Sequence, residues 1–512
     1  MTKVTSVKRV EPTFQDVRKW YEENLHPDSN AYDDQEVFRN VYHEGRWCGV
    51  FQCTSRGAQQ LFQKAKPTSI DDIAILTSIY RPGPLAAHVD RLYLKAKAGE
   101  KYDWGHPLFE KVLANSYNLV VYQEAVMDLA EHVGGFPKDK CDDVRRAIMK
   151  RDQSKGEESI KAARDMEDAF VRGAIERGVP ENTARDAYQR IMWMAGYAFN
   201  RAHAVAYAID SYMNAFLLTH HTDEWCQAYL ESMSSNPDNR ARAFGEVKSL
   251  GYEIVPIDVN FATHEWTILP RKKFMPSLLS CKGVGLSAIE ELVEHRPFTT
   301  IEEFLWNDDG TWRPSKFNKR AIDALIKVHA FESLECVGEG RLFRTWRHMH
   351  EVVIGNMDVI KKSSKRDPFI GKKTFFELAR ALASECSDEW SRREQIQNRL
   401  DVFGTVDVAT VADPKIMAAL VERGVGPIDD LEDEKTEIVW FLTNDVTKKK
   451  TRAGKTYLQL NVTGLSGKQH RMNVWGWKDE RTLEPYTFCV AETEKNSAFG
   501  FSTTSWKLHQ LD

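Results

Sequence analysis

The sequence lacks the short motifs that mark the commonest metal and nucleotide sites. None of its eight cysteines lies in a CxxC pair. Cys48 and Cys53 are the closest two, and they have no second ligand pair at zinc spacing. There is also no P-loop, HExxH or GxSxG sequence. These absences argue against a zinc site, a P-loop nucleotide site and a serine-hydrolase elbow, and they indicate reduced, structural cysteines.

Segments that would carry the chain into or across a membrane are missing as well. The N-terminus MTKVTSVKRVEPTF has no apolar core of a secretory signal. No apolar run approaches the roughly 18 residues of a membrane span. We therefore expect a cytoplasmic protein.

The sequence also lacks a large excess of either sign of charge, because the net charge is only −5 over 512 residues. Contacts with nucleic acid would therefore have to use local basic clusters. The length suggests roughly three or four domains. Helical periodicity dominates until Glu437, where strand-like alternation begins. The pattern predicts a mainly α, multidomain chain that ends in a small β-barrel of the OB type.

We expect five segments in this chain. A polar arm precedes a long helical domain, a region of short helices around KGVG, a charged helical connector and a β-rich end. The boundaries are 1–34, 35–240, 241–335, 336–430 and 431–512. Within the connector, KKSSKRDP (361–368) is expected to be an exposed loop.

The segment AGYAFNRAHAVAYAIDSYMNAFLLTHH (195–221) has helical periodicity from Arg201 onward. Its predicted apolar stripe consists of Val205, Ile209, Tyr212 and Phe216, and its polar face consists of His203, Tyr207, Asp210 and Asn214. Asn200 and Arg201 stand at the helix start, where free amides favour an anion. A cation, aromatic rings and a helix N-terminus would suit a nucleoside triphosphate. An ordinary amphipathic helix with a solvated polar face is the alternative, and such faces are common.

A second cluster of cations lies in DDVRRAIMKRDQSKG (142–156). Its members are Arg145, Arg146, Lys150 and Arg151, within about two helical turns. A triphosphate or a DNA backbone between them would relieve their repulsion, and arginine suits bidentate phosphate contact. The alternative is a solvated helix partly neutralised by Asp142, Asp143 and Asp152.

The segment LLSCKGVGLSAIEEL (278–292) has the pattern of a helix-hairpin-helix. Gly283 and Gly285 would let the backbone turn and approach a phosphate beside Lys282, which the following helix N-terminus then holds. Such contacts grip duplex DNA without reading its sequence. FNKRAIDALIKVHAF (317–331) is a candidate second copy. The motif is short and also arises by chance.

The pattern of the C-terminal region predicts three strands, EIVWFLTNDV, TYLQLNV and QHRMNVWGW. The basic loop TKKKTRAGKTY joins the first two and carries Lys448, Lys449, Lys450, Arg452 and Lys455. The aromatic candidates on the strands are Trp440, Tyr457, Trp475 and Trp477. In OB-folds, cations follow the backbone of a single strand while rings stack on its bases. A plain hairpin with tryptophans in its core is the alternative.

Several motifs together are similar to one known family. They occur in the order VFQCTSRGAQQL (50–61), SIYRPGPL (78–85), VVYQEAVMDLA (120–130), DDVRRAIMKRD (142–152), AGYAFNRAHAVAYAIDSY (195–212) and CKGVGLSAIEEL (281–292). This series resembles the C-family replicative DNA polymerases, the alpha subunit of bacterial DNA polymerase III. The resemblance covers about 45–335, is weaker over 435–480 and is poor over 336–430.

The resemblance implies polymerase fingers for 35–240, a duplex-binding helix-hairpin-helix domain for 241–335 and an OB-like domain for 431–512. It implies that the incoming dNTP is bound by Arg145, Arg146, Lys150, Arg151, Asn200, Arg201, His203 and Tyr207. Arg201 stands where the family usually has lysine. Arg81, Tyr122 and Gln123 correspond to other fingers elements.

The chain departs from the family in one respect. Nothing in it matches the PHP domain or the palm, whose carboxylates bind the catalytic Mg²⁺ ions. We therefore expect no catalytic or metal-binding residue here, and a split polymerase whose PHP and palm lie on a partner chain. Such an arrangement suggests a phage or mobile-element origin, with the protein acting in a bacterial cell or a phage-infected host.

The other expected partner is a DNA primer-template. RLDVFG (399–404) faintly resembles the family's clamp-binding peptide but lacks the leading glutamine, which leaves a sliding clamp as a further candidate. A non-catalytic DNA-binding accessory protein derived from a polymerase is the main alternative function. A generic helix-hairpin-helix protein would not explain the ordered motifs between 50 and 212.

Overall fold

A computed structural model describes residues 12–149, 157–234, 237–404, 408, 414–451, 453–465, 469–478, 482–496 and 500–511. The chain forms two compact units, Met1–Thr222 and Asp223–Asp512. Helices dominate the chain up to about residue 422, and a barrel closes its C-terminal part, as the sequence predicts. No helix among the described residues is both long enough and apolar enough to span a membrane.

The first unit is helical throughout its described part. Its α-helices are α1 (Phe14–Asn24), α2 (Gln35–Val37), α3 (Arg56–Ala65), α4 (Ile70–Ile79), α5 (Pro82–Ala86), α6 (Val89–Lys97), α7 (Pro107–Val112), α8 (Gln123–His132), α9 (Cys141–Met149), α10 (Glu157–Glu176), α11 (Glu181–Ala195) and α12 (Arg201–His220). A π-helical turn covers Phe38–His43, and 3-10 turns cover Ala114–Ser116 and Lys138–Lys140.

The pairing of α4 with α12 forms the centre of this unit. Most of α4 is buried, because it is apolar nearly all round. The buried face of α12 consists of Ala204, Ala208, Ser211, Tyr212, Ala215 and Leu218. The predicted stripe was therefore wrong in phase, since only Tyr212 of its four members is buried and the other three are partly exposed. Small side chains occupy the contact because they let two helices approach closely.

A buried carboxylate anchors the start of α4. The Asp72 side chain is 1% exposed and accepts hydrogen bonds from four residues, namely Thr68 N (2.9 Å), Tyr93 Oη (3.0 Å), Tyr117 Oη (2.7 Å) and Lys97 Nζ. Burial alone would raise the pKa of Asp72, but the bonds from Lys97, Thr68 and Tyr117 outweigh it and hold the pKa below its usual value. Asp72 is therefore a charged structural anchor.

The second unit begins at Asp223, in the first turn of α13. Its helices are α13 (Thr222–Met233), α14 (Pro237–Ser249), α15 (Leu286–Glu294), α16 (Ile301–Leu305), α17 (Lys319–Lys327), α18 (Trp346–His350), α19 (Met357–Arg366), α20 (Pro368–Ala381), α21 (Arg392–Phe403) and α22 (Pro414–Glu422). A π-helical turn covers Glu351–Gly355, and 3-10 turns cover Leu278–Ser280, Glu332–Leu334 and Ile428–Asp430. Strands β1 (Glu253–Ile254), β2 (Thr267–Leu269) and β3 (Lys273–Met275) form a small sheet in the order β1-β3-β2.

One hydrophobic core joins α15 and α17 with the helices that follow them, and it extends from Ile257 to Val402. The prediction of an exposed loop at 361–368 was wrong. These residues complete α19 and begin α20, and the turn between the two helices is at Asp367, which caps α20. A Cβ atom on Gly371 would lie 2.5 Å from the Cβ of Ser364, so the helices touch where both side chains are small.

The barrel contains β5 (Lys435–Lys450), β6 (Thr456–Thr463), β7 (Gln469–Trp475), β8 (Phe488–Asn496) and β9 (Gly500–Thr504). The short strands β4 (Gly426–Pro427) and β10 (Leu508–Gln510) pair at its margins. The strands follow the order β5-β6-β7-β9-β8, and β8 pairs with β5 to close the ring. Only β7 and β9 run parallel within this ring. A closed five-stranded barrel of this kind is OB-like, which confirms the predicted fold class.

Candidate nucleotide site and nucleic-acid surfaces

Two distant segments of the first unit meet at the start of α8. Phe199 N donates to Val121 O (2.9 Å), and Gln123 N donates to Phe199 O (2.8 Å), which forms a parallel bridge between Tyr122 and Phe199. This pairing places the first turns of α8 and α12 side by side. The residues predicted near 122 and near 200 are therefore neighbours.

Glu124 occupies the start of α12. Its two carboxylate oxygens accept hydrogen bonds from Asn200 Nδ2 and from Arg201 N, each at 3.0 Å. Asn200 Oδ1 in turn caps the helix by accepting from His203 N at 2.8 Å. The expectation of free amides at this end was therefore wrong for Arg201 and His203, because a carboxylate and an amide oxygen already satisfy them. An anionic ligand would compete with Glu124 here.

The Arg201 guanidinium remains accessible above this capped end. It lies 3.6 Å from Asp71, in a pair whose side chains are 44% and 56% exposed. It also lies 5.8 Å from the centre of the Tyr122 ring. The Tyr122 hydroxyl is buried and has no hydrogen-bond partner among the described residues. Since burial raises the pKa of Tyr122, this hydroxyl stays protonated and can donate.

A row of aromatic rings follows one side of α12. His203 lies 5.4 Å from Phe199 and 4.1 Å from Tyr207, and Tyr207 lies 5.1 Å from the half-exposed Phe51. Ring faces of this kind can stack on a nucleobase. Phe51 was absent from the predicted site, although it stands inside the VFQCTSRGAQQL motif.

An open groove of about 550 Å³ lies on the adjoining side of α12. Its lining combines Glu124 and Arg201 with Ala202, Val205, Ala206 and Ile209. The volume falls in the range of ligand-binding clefts, roughly 300–1,000 Å³. Val205 and Ile209, two members of the predicted apolar stripe, form an apolar wall of this groove.

The two described cations of α9 have different surroundings. Arg145 is largely buried and donates to Asp142 (2.8 Å) and to Gln123 Oε1 (3.2 Å), so it ties α9 to the start of α8. Arg146 is 58% exposed, and its described ion pair is with Asp142 at 2.6 Å. Arg146 is therefore free to turn toward a ligand, whereas Arg145 holds the site together. Lys150 and Arg151 lie outside the described residues.

Arg81 also has a positioning role. It donates to Ser78 O (2.8 Å) and Tyr197 O (2.7 Å), and its guanidinium lies 4.5 Å from the centre of the Phe199 ring. Burial lowers its pKa. These contacts fix the segment that leads into α12. Arg81 therefore acts on the site indirectly, by positioning Phe199.

The carboxylates near this site do not fit a Mg²⁺ centre. No group of three or more His, Cys, Asp or Glu side chains suited to a metal occurs in the described part of the chain. Asp71 faces Arg201, and Glu124 caps α12. The described carboxylates here therefore pair with a cation or cap a helix, and they are not grouped to hold a metal ion.

In the second unit, the KGVG loop precedes α15 as predicted. Gly283 has φ +96°, a conformation that favours glycine, and a Cβ there would also crowd Arg320 Cγ at 3.0 Å. Gly285 is the N-cap of α15 and has open space where a Cβ would be. Lys282 is exposed and, with Arg320, lines a cavity of about 640 Å³. This arrangement leaves the α15 N-terminus open to a phosphate.

The barrel divides its aromatic residues between core and surface. Trp440 and Trp477 are buried, as the alternative of tryptophans in the core expects for these two. Tyr457 and Trp475 are register partners with rings 4.7 Å apart, and Trp475 is 40% exposed. Trp506 is 70% exposed and was missed, because it lies in the turn between β9 and β10, two strands that were not predicted.

The expected basic loop is largely a strand. Lys448, Lys449 and Lys450 end β5 and are exposed, and Lys449 is the register partner of Tyr457. Lys455 lies in the turn that follows, and Arg452 lies outside the described residues. Lys449, Tyr457 and Trp475 therefore form one cross-strand row with a cation beside two rings.

Comparisons with known proteins agree with this architecture. The model of the bacterial DNA polymerase III alpha subunit finger domain matches residues 7–178. A helix-hairpin-helix motif model matches residues 251–339. Both matches fall on regions that the sequence motifs indicate.

Curated relatives share the name DNA polymerase III subunit alpha. The protein of Aquifex aeolicus is 33% identical over 448 residues, which cover 85% of this chain and 35% of the relative. That of Campylobacter jejuni is 32% identical over 62% of this chain and 26% of the relative, and that of Borreliella burgdorferi is 27% identical over 90% and 39%. The chain spans between a quarter and two fifths of these relatives' lengths. It belongs to the bacterial DNA polymerase III alpha subunit family and corresponds to the finger and helix-hairpin-helix portion.

Proposed function

We propose that this chain is a subunit of a template-directed DNA polymerase for DNA replication, and that it binds the incoming dNTP and the primer-template. The observation that carries the proposal is the meeting of α9, the start of α8 and the start of α12 around Tyr122–Glu124. Three sequence segments that span about 80 residues thereby contribute to one surface with cations and rings.

The dNTP roles follow from the exposure of each side chain. Arg146 and Arg201 would bind the triphosphate, since each is exposed and each now faces one carboxylate that the ligand can replace. The rings of His203 and Tyr207 would support the base. Arg145, Gln123 and Arg81 would position these groups, and Lys150 and Arg151 are proposed to join Arg146. The domain boundaries predicted from the sequence are part of this proposal.

DNA binding is assigned to the second unit. The KGVG loop and the open end of α15 would hold phosphates of the primer-template duplex. The row of Lys449, Tyr457 and Trp475 would hold a single strand, with Lys448, Lys450, Arg452 and Lys455 as further cations.

The metal-binding palm is proposed to lie on a separate PHP-palm chain. Its carboxylates would hold Mg²⁺, which activates the primer hydroxyl and stabilises the leaving pyrophosphate. Support comes from the carboxylates of the candidate site, because Asp71 pairs with Arg201 and Glu124 caps α12. A phage origin and a cytoplasmic location belong to the same proposal.

The sliding clamp is a further proposed partner. RLDVFG forms the end of α21, where Val402 is buried and Gly404 terminates the helix. Binding as an extended peptide would therefore require this last turn to unwind.

The dNTP assignment is tested by Arg146→Ala in the assembled polymerase. Losing one charge-assisted hydrogen bond to a phosphate, about 1.5–3 kcal/mol, should raise the apparent KM for dNTP roughly ten- to hundredfold. Arg190→Ala is the control, because Arg190 forms a comparable i,i+4 pair with Asp186 at 2.6 Å. Equal KM values for the two variants would refute the role of Arg146. Tight DNA binding without any dNTP dependence would favour the accessory DNA-binding protein.

A further inference from the structure

The connector between the helix-hairpin-helix and the barrel carries an unusual row of cations on α19. Lys362 and Lys365 are exposed, and neither forms an ion pair with a carboxylate in the described ranges. They lie outside the residues that the helix-hairpin-helix model matches, 251–339. Unpaired neighbouring cations repel one another, so their grouping favours an anionic partner.

The helix geometry fixes the direction of this row. Asp358, Lys362 and Lys365 stand at i, i+4 and i+7, which places them on one face of α19. Asp358 lies 4.0 Å from Lys319 at the start of α17. The face that begins beside Lys319 therefore continues through Lys362 to Lys365, about 10 Å further along the helix axis at 1.5 Å per residue.

Lys319 in turn adjoins the duplex-binding loop. The next residue, Arg320, is exposed, and its Cγ lies 3.0 Å from the position of a Cβ on Gly283. A series of basic residues thus runs from the KGVG loop to the last turn of α19, namely Lys282, Arg320, Lys319, Lys362 and Lys365.

Packing holds α19 firmly against the helix-hairpin-helix. Ile360 is fully buried in the shared core, and Lys361 Nζ lies 5.1 Å from the centre of the Trp312 ring. Gly371 and Ser364 hold α19 against α20. The spacing between the row and the KGVG loop is therefore fixed by the fold. A surface that contacts the regularly spaced phosphates of a duplex requires such a fixed spacing.

We propose that the α19 row extends the duplex-binding face of the helix-hairpin-helix and binds backbone phosphates of the DNA about three base pairs beyond Lys319. The length follows from the roughly 10 Å of helix between Asp358 and Lys365 and from 3.4 Å per base pair. This inference rests on the proposed binding of duplex DNA by the second unit. Duplex is favoured over single strand because the row itself contains cations and no ring for base stacking.

The test compares Lys362→Gln/Lys365→Gln with wild type in equilibrium binding to blunt duplexes of increasing length. Removing two phosphate contacts should lower the slope of log K against log salt by about 2 on long duplexes. Duplexes too short to reach α19 should bind both proteins equally. Lys362→Arg/Lys365→Arg should retain binding.

Arg271→Gln/Lys272→Gln is the matched control, since it removes two exposed cations on the β2–β3 turn of the same unit. A salt slope for the α19 variant equal to that of this control would overturn the inference and leave the duplex role of the KGVG loop intact. Failure of the wild-type chain to bind any duplex would overturn both this inference and the proposed duplex role of the KGVG loop. A loss of duplex affinity that is the same at every duplex length would also contradict the proposed phosphate contacts of Lys362 and Lys365.

Discussion

Asp72 offers a quantitative test of how the fold supports the site, because it anchors α4 and α4 carries Asp71, the partner of Arg201. Asp72→Asn keeps the volume of the side chain but removes its charge. The Lys97 ammonium, whose side chain is only 15% exposed, then loses its counter-charge. Breaking one side of a buried pair costs about 3–5 kcal/mol, so we expect the free energy of unfolding of the first unit to fall by about 3 kcal/mol.

The assay is urea unfolding of the chain at neutral pH, followed by circular dichroism of the helices. Asp71→Asn is the control, because its ion pair is largely solvated and should contribute less than about 1 kcal/mol. Asp72→Asn/Lys97→Met should recover part of the loss, since no charge is left unpaired. Equal midpoints for the two single variants would refute the reasoning.

The same carboxylate predicts the direction of a pH effect. The pKa of Asp72 is lowered in the folded chain, so its stabilisation is complete above the unfolded value of about 3.9. It disappears as the pH falls through the lower folded pKa. The difference between wild type and Asp72→Asn should therefore be constant from pH 7 to 5 and shrink in more acidic solution. A difference that grows on acidification would contradict the assignment.

Four further substitutions separate structural from binding roles. Gly283→Ala should destabilise the second unit by about 1 kcal/mol or more, because φ at this position is +96°. Gly285→Ala should unfold like wild type but should weaken duplex binding. Thermal unfolding and a duplex titration of both variants check these two expectations. Arg145→Ala should lower stability as well as dNTP affinity, because it removes the link from α9 to Gln123, and a loss of affinity at unchanged stability would contradict this. Trp475→Ala should weaken single-strand binding by about 1–3 kcal/mol, while equal binding by Trp475→Ala and wild type would exclude the barrel row.

The α12 helix shows how far sequence patterns lead. Its length, its start at Arg201 and its Asn200 cap follow from local rules, since the capping residue and the periodicity lie within the segment. Its buried face does not. Val205 and Ile209 are the stronger apolar residues, yet α4 selects Ala204 and Ala208, because close helix contact rewards small volume above hydrophobicity.

Long-range pairing explains the other differences. Three barrel strands were predictable from alternation, whereas β8 (FCVAETEKN) alternates weakly and gains its place by pairing with β5 across about 50 residues. The charged segment 361–368 folds into two helices because Ser364 and Gly371 allow them to touch. The site motifs were predictable, but Glu124 and Asp71 enter the site only through the tertiary fold.

The central claim is that this chain supplies dNTP and primer-template binding to a polymerase whose metal site lies on another chain. Primer extension with Mg²⁺ and all four dNTPs tests it most directly, with this chain alone, the candidate PHP-palm chain alone and the two together. We expect extension only in the mixture. Extension by this chain alone would refute the two-chain arrangement, because these residues would then themselves hold the catalytic metals.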